Sequence, residues 1–94
     1  KVLVVGLGRS GLGAVRLLHY LGAKVFVTEK RTDIENIFLP KDIIIETGEH
    51  TLKSLVNIDT VIVSPGVAQN ILLLKKAQEK GIKIYYYFLL LKGE

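Results

Sequence analysis

Short runs of β-branched and aromatic residues alternate along the chain with stretches whose apolar positions recur at helical spacing. The runs have the length and composition of buried strands. They lie at residues 1–5, 24–28, 42–46, 60–64 and 82–88. The helical spacing predicts helices over residues 9–21 and 69–80, each followed by a glycine of the kind that ends helices. We also expect a short helix at residues 51–56 and either a short helix or a loop at residues 33–39.

Each of the two long helices has an apolar face that should pack against a sheet. In the first helix this face consists of Gly11, Ala14, Val15, Leu18 and Leu21. In the last helix it consists of Ile71, Leu74, Ala77 and Gln78.

Strands that alternate with helices predict an α/β fold with a parallel sheet. Right-handed crossovers favour a Rossmann-like, doubly wound sheet of five strands in the order 3-2-1-4-5. In that order the winding reverses between strands 1 and 4, and ligands of such sheets bind at the carboxyl ends of the strands beside the reversal. The 94 residues have the length of a single domain, so we treat 1–94 as one unit.

The loop after the first strand carries the clearest chemical signal. Residues 6–11 read GLGRSG, which matches G-x-G-x-x-G directly after a strand and at the start of a helix. Gly6, Gly8 and Gly11 allow a tight turn, close approach of a ligand and close packing of helix on strand. The first helical N–H groups, those of Arg9 and Ser10, can then receive a diphosphate. The alternative is that the glycines only fit a tight turn.

Two further loops end at the same edge of the predicted sheet. Glu29 lies 18 residues after Gly11, where an acid of a dinucleotide-binding domain accepts hydrogen bonds from a ribose, although it could also be an exposed charge at a strand end. Lys30 and Arg31 follow it and suit a phosphate or another polar group. Ser64, Pro65 and Gly66 end the fourth strand, either as a ligand-facing loop or as an ordinary turn.

Several classes of function are disfavoured by the composition. The net charge of +4 is too small and too dispersed to indicate nucleic-acid binding, and no cysteine is present for a disulfide or thiolate metal site. The longest apolar stretch, residues 84–91, is shorter than the ~20 residues of a membrane-spanning helix. There is no P-loop for ATP and no spacing typical of a catalytic nucleophile. We therefore expect a binding module from a longer cytoplasmic protein, without a leader sequence.

The remaining histidines and tyrosines are interpreted as structural. His19 and His50 share no ligand spacing, so we expect surface residues rather than metal ligands. Tyr85, Tyr86 and Tyr87 should alternate between the two faces of the last strand rather than form an aromatic platform. We expect the apolar end at residues 88–91 to self-associate or to fold back on the sheet.

Four segments together resemble the N-terminal domain of the Mur ligases that add D-glutamate to UDP-N-acetylmuramoyl-L-alanine. They are VLVVGLGRSGL at 2–12, GAKV at 22–25, SPGV at 64–67, and Ala77 with Lys80-Gly81-Ile82. The likeness covers nearly the whole chain in the same order. GLGxSG combined with SPG is more specific than G-x-G-x-x-G alone.

The resemblance implies a three-domain, ATP-dependent, cytoplasmic ligase of peptidoglycan synthesis, with a role in the cell wall and cell shape. Its first domain would hold UDP or the UDP part of UDP-MurNAc-L-alanine without a cofactor of its own. The central and C-terminal domains, which lie outside this chain, would take ATP with Mg²⁺ and D-glutamate. The 94 residues alone should not catalyse ligation.

Particular residues also acquire roles from the resemblance. Arg9 and Ser10 would contact the diphosphate, Glu29 and Arg31 would approach the uracil, and Gly66 would lie at the edge of that pocket. The chain departs from the family pattern because Glu29 replaces a usual Asp and Lys30 a usual Thr.

Two other interpretations stay open at this point. One is an NAD(P)-binding domain of an oxidoreductase, or a regulatory nucleotide sensor, which the glycine loop and Glu29 would serve equally well. The other is an interaction module on a Rossmann scaffold that no longer binds a nucleotide.

Overall fold

The computed structural model describes residues 1–34, 37–68 and 71–86. Five parallel strands form one sheet in the order β3-β2-β1-β4-β5, which confirms the predicted α/β fold and strand order. The strands are β1 (Val2–Val5), β2 (Val25–Glu29), β3 (Ile44–Thr47), β4 (Thr60–Val63) and β5 (Lys83–Tyr86). The helices are α1 (Arg9–Tyr20), the short 3₁₀ helix Leu52–Leu55 and α2 (Leu72–Glu79).

Apolar side chains fill both faces of the sheet. On one face, Leu3 and Val5 of β1 pack with the 3₁₀ helix and α2. On the other face, Val4 packs against Ala14 and Val15 of α1. β1 and β4 therefore bury side chains in both directions, as their unbroken apolar sequences predict.

The apolar face of each helix differs in part from its prediction. In α2, Leu74 and Ala77 are buried as predicted and Ile71 packs against the core, but Leu73 is also buried and Gln78 is exposed. At the end of α1, Leu21 is 67% exposed because the helix has already ended at Tyr20. Both differences arise near helix ends, where the periodicity has too few turns to specify the buried face.

Some predicted boundaries extend beyond the described residues. The predicted start of α2 at Gln69 and the predicted end of β5 at Tyr87–Phe88 lie outside them, as does the apolar end at 88–91. The described part of residues 33–39 forms a loop. Tyr85 is exposed whereas Tyr86 packs against the core, as expected for alternation along a strand.

The register of the three central strands aligns their carboxyl ends. Val5 of β1 pairs with Thr28 of β2 on one side and with Val63 of β4 on the other. The residues that follow these positions, Gly6, Glu29 and Ser64, therefore emerge together at one edge of the sheet. This alignment gathers segments that are far apart in sequence.

Candidate functional site

An open cavity of about 750 Å³ lies at the carboxyl edge of the sheet, where the winding reverses. We call it the carboxyl-edge cavity. Its lining includes all but one of the predicted site residues, namely Gly6, Gly8, Arg9, Ser10, Glu29, Lys30, Arg31, Ser64, Pro65 and Gly66. The exception is Gly11, which is buried beneath the loop. Leu7, His50, Val67, Ala68 and Ile71 complete the lining.

The three glycines of the loop differ in how much room each position leaves for a side chain. Gly6 has φ +94°, in the left-handed region that favours glycine. A Cβ on Gly11 would overlap the Gly6 carbonyl oxygen and lie 2.5 Å from Oγ of Ser64, so this position has no room for a side chain. A Cβ on Gly8, in contrast, would meet nothing within 4 Å. Gly11 is therefore required by packing, whereas Gly8 leaves open the space beside the start of α1.

The start of α1 presents unpaired backbone N–H groups to the cavity. Gly8 is the N-cap, its backbone is extended and it provides no side-chain cap. The first helical hydrogen bond runs from Leu12 N–H to the Gly8 carbonyl at 2.9 Å. Within the described residues, the N–H groups of Arg9 and Ser10 have no hydrogen-bond partner. Together with the positive end of the helix dipole, they form an anion-binding arrangement.

Glu29 and Arg31 hold the glycine-rich loop by its backbone. The Leu7 N–H donates to Oε1 of Glu29 at 2.7 Å, and the Arg31 N–H donates to Oε2 at 2.7 Å. The Arg31 guanidinium donates to the Leu7 carbonyl at 3.0 Å and lies 3.4 Å from Oε1 of Glu29. Glu29 is only 6% exposed, so the alternative of an exposed charge at a strand end is wrong.

The carboxylate of Glu29 stays ionised in this buried position. Burial by itself would raise its pKa, but the hydrogen bonds from Arg31 and Leu7 and the charge of the guanidinium outweigh burial and lower the pKa below 4.5. Much of its hydrogen-bonding capacity is already used within the protein. Its main structural effect is to fix the shape of the loop.

Ser64 connects the loop after β4 to the loop after β1. Its hydroxyl donates to the Gly6 carbonyl at 2.9 Å, and the side chain is buried. Pro65 and Gly66 are exposed, and a Cβ on Gly66 would meet no atom within 4 Å. The segment therefore combines a structural residue, Ser64, with an open rim at Gly66.

His50 is the polar residue of the cavity lining that the sequence did not predict. It is half-buried rather than a surface residue, and its Nδ1 lies 2.9 Å from the hydroxyl of Thr28 on β2. That hydroxyl donates to Oε1 of Glu46 on β3 at 2.9 Å. A usable signal was present, because His50 follows β3 at the same edge as the other site loops.

Glu46 is in turn fixed by the start of the 3₁₀ segment. The Thr51 N–H donates to its Oε1 at 2.9 Å, and the Thr51 hydroxyl donates to Oε2. Burial alone would raise the pKa of Glu46, but the hydrogen bonds from Thr51 and Thr28 lower it below 4.5. A polar cluster of Thr28, Glu46, His50 and Thr51 thus supports the β2–β3 side of the cavity.

No metal centre or membrane-crossing helix is found in the part of the chain that the structure describes. Its acidic residues and histidines form no group of three that could hold a metal ion. None of its helices is long and apolar enough to cross a membrane.

The sheet, the reversal of winding and the glycine loop define a Rossmann-like domain. Within that class, residues 1–86 match the family model described as Mur ligase MurD-like, N-terminal domain. The chain belongs to this family, which confirms the resemblance seen in the sequence.

Curated relatives support the same assignment. The chain is 43% identical over 88 residues to the UDP-N-acetylmuramoylalanine–D-glutamate ligase of Ligilactobacillus salivarius, covering 89% of this chain and 19% of that protein. It is 47% identical over 79 residues to the protein of the same name from Lawsonia intracellularis, covering 77% and 18%. The match to that of Geobacillus kaustophilus is 39% over 89 residues, covering 89% and 20%. The chain thus spans about a fifth of the length of these relatives.

Proposed function

We propose that residues 1–94 form the UDP-binding domain of a three-domain, ATP-dependent ligase that adds D-glutamate to UDP-MurNAc-L-alanine in the cytoplasm during peptidoglycan synthesis. The observation that carries this proposal is the pair of unpaired N–H groups at Arg9 and Ser10, facing a cavity in a member of the MurD-like family. The names and lengths of the relatives support the assignment to a larger ligase.

The diphosphate is the part of the ligand that this arrangement suits best. Backbone N–H groups at a helix start bind phosphate oxygens, and the open space beside Gly8 permits close approach. Arg9 and Lys30 line the same cavity and supply positive charge. The negative charge of Glu29 is offset by its contacts with Leu7 and Arg31, so it opposes phosphate binding only weakly.

The uracil would occupy the side of the cavity formed by the loops after β2 and β3. This side carries Glu29, Arg31 and His50, whose polar atoms can address the carbonyl and N–H groups of a uracil edge. The opposite side has the Ser64–Gly66 loop with Val67 and Ile71, which is more apolar. The rest of the UDP-sugar would leave the cavity past this rim.

The proposed part of this domain in the reaction is to hold the substrate, not to perform chemistry. In the described residues there is no candidate metal cluster, and the sequence lacks a P-loop. From the family resemblance we place ATP and Mg²⁺ in the remaining domains, and we derive no reaction step through them.

The test is a ranking of ligands on the 94-residue chain by titration calorimetry. UDP should bind more tightly than UMP, because UMP lacks the second phosphate, and more tightly than NAD⁺ or NADP⁺. Arg31→Ala should weaken UDP by about 1–2 kcal/mol, because a charged donor that also orders the loop is lost. Lys41→Ala removes an exposed charge that does not line the cavity and serves as the control.

The opposite ranking identifies the competing function. Tighter binding of NAD⁺ than of UDP, with Arg31→Ala neutral, would favour a domain of an oxidoreductase. If neither UDP nor NAD⁺ nor NADP⁺ binds, the result would favour an interaction module.

A further inference from the structure

The single hydroxyl proton of Thr28 determines the tautomer of His50. Thr28 is fully buried, and its Oγ1 lies 2.9 Å from both Oε1 of Glu46 and Nδ1 of His50. Glu46 is ionised and can only accept a hydrogen bond, so the Thr28 proton is donated to it. If Nδ1 carried no proton, two lone pairs would face each other at 2.9 Å. Nδ1 of His50 must therefore carry a proton and donate it to Thr28.

This chain of donors leaves Nε2 of His50 as an acceptor. A neutral imidazole has one donor nitrogen and one acceptor nitrogen, and Nδ1 is the donor here. Within the described residues, Nε2 makes no hydrogen bond, and no buried polar side-chain atom lacks a partner. Nε2 is consequently accessible, on a residue that lines the carboxyl-edge cavity.

Burial lowers the pKa of His50 and so favours the neutral imidazole near pH 7. Burial lowers its pKa below 6.5, Glu29 and Glu46 partly oppose that shift, and Lys30 adds to it. Glu29 comes from the end of β2, Lys30 from the loop that follows, and Glu46 from β3. The net shift favours the neutral ring, the form in which Nε2 can accept a hydrogen bond.

We propose that His50 selects uracil over cytosine, accepting the N3–H of the base on Nε2, which the Thr28–Glu46 hydrogen-bond chain fixes as an acceptor. This inference rests on the proposed function, because it assigns a base-selecting residue to the same UDP site. Uracil presents a donor at N3, whereas cytosine presents a lone pair there. A fixed acceptor therefore attracts one base and repels the other.

The test compares UDP, CDP and 3-methyl-UDP on the 94-residue chain at pH 7.5. UDP should bind about tenfold more tightly than either analogue, since the analogues replace the donor with a lone pair or a methyl group. In His50→Gln the side-chain amide can turn either its oxygen or its NH₂ group toward the base, so it can pair with both bases. The preference for UDP over CDP should therefore fall to about twofold or less. His19→Gln is the matched control. That histidine bonds Asp42 on the far side of the domain and does not line the cavity.

Thr28→Val tests the positioning chain while His50 is retained. Valine fills the same volume without the hydroxyl, so selectivity should fall although the imidazole is still present. Long-range ¹⁵N–¹H spectra of the wild-type protein should show the Nδ1–H tautomer for His50 without any ligand. This measurement keeps the inference testable if Thr28→Val does not fold.

The outcomes separate this inference from the proposed function. Tighter binding of UDP than of NAD⁺, with UDP and CDP equal, would overturn the role of His50 and leave the UDP site intact. Selectivity that persists in His50→Gln, or an Nε2–H tautomer, would also overturn it. Failure of UDP and CDP alike to bind would reject both proposals together.

Discussion

The carboxylate of Glu29 holds the backbone of Leu7, 22 residues earlier in the chain, through a 2.7 Å hydrogen bond from the Leu7 N–H. The Arg31 guanidinium donates to the Leu7 carbonyl at 3.0 Å, so both polar backbone groups of Leu7 are bound by the end of β2 and the loop that follows it. The glycine-rich loop owes its shape to this contact as well as to its own glycines.

Glu29→Gln should destabilise the domain by about 1–3 kcal/mol, the range for leaving a buried polar group unsatisfied. The amide has one acceptor oxygen where the carboxylate has two, and its amine would face an N–H donor of Leu7 or Arg31. Urea unfolding measures the change. Glu49→Gln is the control, because Glu49 is exposed and does not line the cavity. An equal loss in both variants would contradict the role of Glu29.

Gly11→Ala should mainly reduce the stability of the domain, whereas Gly8→Ala should mainly reduce its affinity for UDP. The methyl group introduced by Gly11→Ala would overlap the Gly6 carbonyl oxygen, so this variant should lose about 1–3 kcal/mol of folding free energy. The Gly8 methyl meets no protein atom, so this variant should lose no more than about 1 kcal/mol, the cost of alanine at an N-cap, while weakening UDP. Thermal unfolding and calorimetry measure the two quantities. A stable, UDP-binding Gly11→Ala variant would show that the loop can relax.

Arg9→Pro tests the backbone N–H directly. Arg9 is the first residue of α1 and follows the extended Gly8, a position that proline accepts. The variant should fold, yet it should bind UDP, CDP and NAD⁺ less tightly than Arg9→Ala by about 1–1.5 kcal/mol, the value of one hydrogen bond. The comparison with alanine removes the effect of the guanidinium. Equal affinities for the two variants would mean that this N–H does not contact the ligand.

Stability should fall in two steps as the pH decreases. His50 has a lowered pKa in the folded state, so the unfolded chain binds its proton first and stability declines as the pH falls from 6.5 through the folded value. Glu29 and Glu46 also have lowered pKa values, and their contribution is lost below 4.5. Urea unfolding between pH 7.5 and 4 measures both steps. His50→Gln should abolish the upper step and keep the lower one.

The fold was readable from the sequence because the central strands are buried on both faces. Continuous apolar runs such as residues 60–64 are typical of parallel strands covered on both faces. The glycine-rich loop indicated where the first strand ends and the first helix begins. The buried face near the helix ends was less predictable, as exposed Leu21 and Gln78 show, since a periodic pattern does not specify where a helix stops.

The sequence predicted the position of the candidate site but not its hydrogen bonds. The strand order alone located Gly6, Glu29 and Ser64 at one edge. It could not indicate that Glu29 is turned toward the backbone of Leu7, or that Ser64 bonds Gly6, because these contacts depend on the exact register of neighbouring strands. His50 was missed for the same reason. Its importance comes from Thr28 and Glu46, which carry no motif of their own.

The bond between Ser64 and Gly6 has a consequence for the order of folding. It joins residues 58 positions apart, so the loop after β1 gains this support only after β4 has paired with β1. An early folding intermediate built from β1, α1 and β2 would have the glycine motif without its final conformation. The Ser64 N–H donates to the Val5 carbonyl at 3.0 Å and so reports the arrival of β4 beside β1. Pulse-labelling hydrogen exchange should therefore detect protection of this N–H at the same time as the domain first becomes able to bind ligand, and not before.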